Sequence, residues 1–139
     1  MNSNVSFYIV ILGLFSLISL NAQEMTPEEV VQKQLETYNN RDIDGFMSTI
    51  DENVTFHNFS DGQVTMTGSV ACRAFYSKLF ESSPKLHSTI LTRTVFGNKI
   101  IDHESIIGRN GSDEILELVL IYEVKNEKII KVTVLQKEE

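Results

Sequence analysis

Between Leu86 and Gln136 the chain alternates long β-prone runs with short turn signals, and this meander constrains the fold more than any other feature. The runs extend from Leu86 to Phe96, Lys99 to Gly108, Glu114 to Val124 and Lys128 to Gln136. Their joints are Gly97-Asn98, Asn110-Gly111 and Asn126-Glu127. Asn-Gly is a strong hairpin signal, because both central residues of a type I′ turn need φ above zero. Joints this short make consecutive strands antiparallel neighbours. Strands this long twist, so the sheet must curl around a filling.

The N-terminal half supplies that filling. Thr26-Pro27-Glu28-Glu29 reads as a helix start, with a capping Thr, Pro at the first position and two Glu at the positive end of the dipole. Val30, Val31, Leu35 and Tyr38 follow at helical spacing, and Asn39-Asn40-Arg41-Asp42 breaks it. Asp42 caps a second helix carrying Ile43, Phe46, Met47 and Ile50. Val54–Phe59 reads as a strand, Ser60-Asp61-Gly62 as a turn and Val64–Thr67 as a short returning strand. Gly68-Ser69 opens a third helix, with Val70, Ala71, Ala74, Phe75, Leu79 and Phe80 on its expected apolar side and Ser82-Ser83-Pro84 at its end. The predicted class is α+β: three N-terminal helices packed on a curved antiparallel sheet that encloses a pocket. A chain of 139 residues has room for one such domain, placed here at residues 23–139.

Residues 1–22 read as an address. Val5 to Leu20 is almost wholly apolar, short for a membrane span, and Leu20-Asn21-Ala22 ends in a small residue before Gln23. Cleavage after Ala22 leaves a secreted or periplasmic domain with no stable membrane span. An uncleaved N-terminal anchor is the other reading, since no Lys or Arg precedes the apolar run. These residues carry no charged side chain, so the formal net charge of −7 belongs to the folded part. Such a surface repels phosphate backbones, which argues against nucleic acid as a partner.

The one cysteine, Cys72, permits neither an internal disulfide nor a Cys-type zinc cluster, and burial in the third helix is its expected role. His57, His87 and His103 lack metal-ligand spacing. No metal and no cofactor is expected.

Counting outward from the three joints assigns the sheet's faces. Arg93 falls opposite Asp102, Leu91 opposite Glu104, and Asp102 and Glu104 near Val119 and Glu117. One face then carries His87, Leu91, Arg93, Asp102, Glu104, Glu117, Val119, Ile121, Val132 and Val134. The other carries Leu116, Leu118, Leu120, Tyr122 and His103. Neither face reads as plainly solvent-exposed, and a homodimer through the outer face is expected. A single bulge would exchange the faces beyond it.

The order of elements resembles the nuclear-transport-factor-2-like superfamily, particularly its SnoaL-like and ketosteroid-isomerase-like members. Val31 to Asn39, Arg41 to Phe46, Asp51 to Phe56, Gly68 with Arg73 to Tyr76, Gly97 to Glu104 and the final Ile121 to Val132 carry it. The resemblance implies a cone-shaped fold with a small-molecule pocket. The ketosteroid isomerase reaction needs a carboxylate base and an oxyanion hole built from a Tyr and a protonated Asp. The base position falls on Asn58, the oxyanion Tyr on Gln34 and the oxyanion Asp at or beside Ile121, while Tyr76 matches a supporting Tyr. Steroid isomerase chemistry itself is therefore not expected. The alignment puts Val132 and Val134 on the pocket face.

The resulting expectation is an exported pocket protein for a small apolar molecule with polar groups. Asp102, Glu104 and Tyr76 are the candidate catalytic residues for proton transfer, isomerisation or hydration. Gln34, Tyr38, Phe56, Asn58, Phe75, Arg93, Glu117, Val119 and Val132 are the candidate ligand-binding residues. The competing expectation is a non-catalytic dimerisation or ligand-binding module.

Overall fold

A computed structural model describes residues 23–137. The apolar segment read as a signal peptide lies outside them. Helix α1 spans Pro27–Asn39, α2 Ile43–Met47 and α3 Ser69–Ser82. The strands are β1 Ile50–Asn58, β2 Val64–Thr67, β3 His87–Phe96, β4 Lys99–Ile107, β5 Leu116–Lys125 and β6 Lys128–Gln136. They form one sheet in the order β2-β1-β6-β5-β4-β3. The expected meander is present, and β1 joins it by pairing parallel to β6. That parallel contact is possible because α3 and the whole meander intervene as the crossover.

Local chemistry explains where α1 starts and which side it buries. Thr26 accepts from Glu29 N while the Glu29 carboxylate accepts from Thr26 N, a complete capping box with Pro27 behind it. The buried stripe is Val30, Val31, Gln34, Leu35 and Tyr38, at the spacing of one helical face. Asp42 caps α2 through Gly45 N. The Asn39 side chain then ties α1 to the sheet: its amide donates to Ser88 O (2.9 Å) and its oxygen accepts from Ser88 N (2.7 Å).

α3 buries only the C-terminal part of its expected apolar side. Cys72, Leu79 and Phe80 are buried and Tyr76 is half-buried, whereas Val70, Ala71, Ala74 and Phe75 are exposed. The spacing Cys72-Tyr76-Phe80 is an i, i+4 row, and the helix has rolled to direct its aromatics at Tyr38 and Phe46. Phe46 lies 4.3 Å from Tyr76 and Tyr38 5.6 Å from Phe80, centroid to centroid. These contacts join the three helices over the concave face of the sheet.

Two details of register correct the face assignment. The expected pairing of Arg93 with Asp102 is present, but β3 bulges between Ile90 and Thr92, so Ile90, not Leu91, opposes Glu104. Ser88 and Ile90 therefore turn inward, and His87 and Leu91 are exposed. Between β4 and β5 the chain does not make a two-residue hairpin. Gly108 adopts φ 74°, a 3₁₀ turn covers Arg109–Gly111, and β5 starts only at Leu116. The pairing thereby moves by one residue, Asp102 opposing Leu120 and Glu104 opposing Leu118. A shift of one residue reverses every side chain on a strand. Leu116, Leu118, Leu120 and Tyr122 face the helices, while Glu117, Val119 and Ile121 face away.

Candidate active site

The concave face and the helices enclose a cavity of about 440 Å³. Gln34, Leu35 and Tyr38 of α1, Phe46 of α2 and Phe75 and Tyr76 of α3 form its helical wall. Phe56 and Asn58 of β1, Glu104 and Ile106 of β4, alternate residues of β5 and Val132 and Val134 of β6 form its sheet wall. Asn58, Thr65, Phe75 and Gln136 are exposed and mark its mouth. Gln34, Glu104 and Tyr122 are buried and mark its depth. Arg109, from the 3₁₀ turn, completes the wall near Phe75, with its guanidinium carbon 5.9 Å from the ring centroid.

Glu104 is the one carboxylate among the described residues that lines the cavity. Ser88 Oγ donates to one of its oxygens (2.6 Å) and the Tyr122 hydroxyl to the other (3.1 Å). Burial disfavours the charged form and raises the Glu104 pKa above the ordinary carboxylate value; the two donors pull the other way and do not cancel it. The Asn39 clamp on the Ser88 backbone places the Ser88 hydroxyl, so a residue of α1 sets the hydrogen bonding of the acid on β4.

Tyr38 and Tyr76 both line the same space. Burial pushes Tyr38 up to about 12 and Tyr76 higher still, so both remain neutral O–H donors at physiological pH. The Tyr38 hydroxyl is enclosed and has no hydrogen-bond partner among the described residues. An unpartnered buried hydroxyl is costly.

The SnoaL-like domain profile matches residues 31–132. The chain belongs to the SnoaL-like family. No match is found among curated proteins. Solved structures show the same fold at low identity. A cystatin-fold protein from Novosphingobium aromaticivorans superposes with a TM-score of 0.73 at 20% identity, covering 81% of this chain and 99% of that one. A proposed ketosteroid isomerase from Kribbella flavida gives 0.69 at 18%, covering 81% and 78%. A proposed SnoaL-like polyketide cyclase from Jannaschia sp. gives 0.65 at 18%, covering 82% and 87%.

Within this SnoaL-like domain the expected site residues divide into two groups. Glu104, Tyr76, Gln34, Tyr38, Phe56, Asn58, Phe75 and Val132 all line the cavity. Asp102, Arg93, Glu117 and Val119 do not, and their expected roles need correction. Asp102 faces inward but is sealed: Arg93 Nε and Nη2 each hold one of its oxygens at 2.7 Å. Arg93 also reaches Gln32 Oε1 of α1 at 2.9 Å, so the pair fastens the helix to the sheet beside the cavity. Glu117 and Val119 lie on the convex face because of the one-residue shift of β5. There Glu117 accepts from His103 (2.5 Å) and from Lys137, which together lower its pKa. Ile121, beside the position where the resemblance implies an oxyanion acid, also faces outward; its neighbour Tyr122 is the residue that meets Glu104.

Sequence reasoning missed Ser88, Arg109 and the inward row of Leu116, Leu118, Leu120 and Tyr122. A bulge concealed the first and a turn of unexpected length the others. One signal for the row was present: four large apolar residues at period two belong on a covered face. Cys72 is buried as expected, its thiol pushed up to about 12 by burial.

Proposed function

We propose that this chain is an exported small-molecule pocket protein in which Glu104 transfers a proton to or from a ligand held in the cavity. The observation that carries the reading is Glu104, a buried carboxyl of raised pKa that lines a largely apolar cavity together with Tyr76. In the reaction this arrangement supports, ionised Glu104 takes a proton from carbon next to a ligand carbonyl. The C–H electron pair moves into an enolate, and the Tyr76 O–H donates to the oxygen on which negative charge develops. Return of the proton to the same or another carbon regenerates Glu104 and leaves an isomer or an exchanged substrate. A raised pKa makes the carboxylate a stronger base than an ordinary Glu.

The test has two stages. Thermal unfolding of the chain from Gln23 is measured with steroids, aromatic ketones, fatty acids and polyketide-like ketones. A ligand at 100 times its Kd adds about 2.7 kcal/mol, a rise of roughly 10 °C in a domain this size. Ketones that bind are then incubated in D₂O with wild type and Glu104→Gln. The reading expects deuterium at the carbon next to the carbonyl with wild type and none above background with the variant, which still binds. Binding without exchange by wild type would leave a binding protein and refute catalysis.

The convex face favours a second property. Ile101 pairs across to Ile121, and Val119 to Leu135, leaving partly exposed apolar residues together on an uncovered sheet. We propose that two copies associate there, replacing the Leu118, Leu120 and Tyr122 surface expected from the sequence. Sedimentation equilibrium of wild type and Val119→Glu tests it, the variant being monomeric at concentrations where wild type is dimeric.

A further inference from the structure

The cavity contains a cation that the proton-transfer reading does not use. Arg109 lines the space near its mouth, with its guanidinium carbon 5.9 Å from the centroid of the Phe75 ring. Among the described residues it forms no ion pair, while Arg73, Arg93, Lys99, Lys131 and Lys137 each do. Nor does its guanidinium hydrogen-bond to any described group, whereas those of Arg41, Arg73 and Arg93 do. In a domain of net charge −7, acidic partners are abundant, and this cation is turned away from them into an apolar pocket.

We infer that the cavity binds small carboxylic acids as their anions, with the carboxylate at Arg109 near the mouth and the apolar body directed toward Tyr38 and Glu104. This rests on the pocket reading above and names the class of ligand. Arg presents a planar fork of N–H donors that matches the two oxygens of a carboxylate. The surrounding wall of Leu116, Leu118, Phe75 and Val134 is apolar, so the pair forms where water is partly excluded and the attraction is stronger than at an open surface. Glu104, buried in the same cavity, would meet a neutral polar group of the ligand such as a carbonyl.

The test uses matched probes of one shape and two charges: benzoate with benzamide, 2-naphthoate with 2-naphthamide, and 4-phenylbutyrate with its amide. Kd values are measured by calorimetry at pH 7 for wild type, Arg109→Gln and Arg109→Lys, with apo Tm values recorded to show that each variant folds. The expected result is that at least one acid binds wild type tenfold to a hundredfold more tightly than its amide, on the order of one charge-assisted contact. Arg109→Gln should remove that preference, the acid losing tenfold or more in affinity and its amide much less. Arg109→Lys should keep part of it. Equal binding of acid and amide overturns the inference and leaves the pocket reading standing. An acid preference that survives Arg109→Gln overturns the assignment to Arg109. Binding of neither class at millimolar concentration overturns both the inference and the pocket reading.

Discussion

The Arg93–Asp102 pair offers the sharpest check on the division between scaffold and site. Its side chains are 13% and 1% exposed, and both Asp102 oxygens are held at 2.7 Å. Replacing Arg93 with Met keeps the aliphatic stem and removes the cation, leaving an uncompensated carboxylate in the interior. Breaking a buried pair in this way costs about 3–5 kcal/mol. A domain of this size loses roughly 4 °C in Tm per kcal/mol, so Arg93→Met should unfold roughly 12–20 °C below wild type. Removing both charges, as Arg93→Met with Asp102→Leu, should return the domain to within about 1 kcal/mol of wild type, because the desolvation cost disappears with the pair. Urea and thermal unfolding followed by circular dichroism at pH 7 give both numbers. If Asp102 is scaffold, the double variant also keeps wild-type affinity for any pocket ligand. A single variant within 1 kcal/mol of wild type would refute the reasoning, since it would mean that water reaches Asp102.

Other predictions concern Glu104, Gly108 and Cys72. The Glu104 pKa is raised in the native state, so its contribution to stability is fully present below the unfolded value of about 4.3 and is lost as pH rises through the native pKa. Glu104→Gln should match wild type near pH 4 and exceed it at neutral pH, by about 1.4 kcal/mol for each tenfold strengthening of proton binding, in urea unfolding across a pH series. At Gly108, a Cβ would come within 2.4 Å of Lys85 O at φ 74°, so Gly108→Ala should cost about 1–3 kcal/mol and displace the turn that presents Arg109, read as a lower Tm and a weaker acid preference. The Cys72 thiol, buried with its pKa pushed up to about 12, should resist iodoacetamide at pH 8 in the native protein and react on unfolding in urea, as mass spectrometry would report.

Much of the site was legible because its residues sit on elements whose local signals are strong. Gln34 and Tyr38 lie on a helix with a capping box and a clear apolar stripe, and Glu104 lies on a strand whose inward row is continuous from Ile100 to Ile106. Arg93 opposite Asp102 followed from a tight turn close at hand, and counting across Gly97-Asn98 was enough. Errors began where counting crossed an irregularity. The Ile90/Thr92 bulge exchanged Ser88 for His87, and the extended Gly108–Ile115 connection reversed β5.

Element order, the family and the helical wall of the pocket are written locally, in caps, periodicity and turn residues acting over a few positions. Which carboxylates are sealed, which one meets the cavity, and that Arg109 stands beside it with no ion pair among the described residues were settled only in three dimensions. Side-chain direction on a strand depends on parity, and parity is determined by packing across the sheet: the assembled core chose the bulge and the longer turn that direct Leu118 and Leu120 inward in place of Glu117 and Val119.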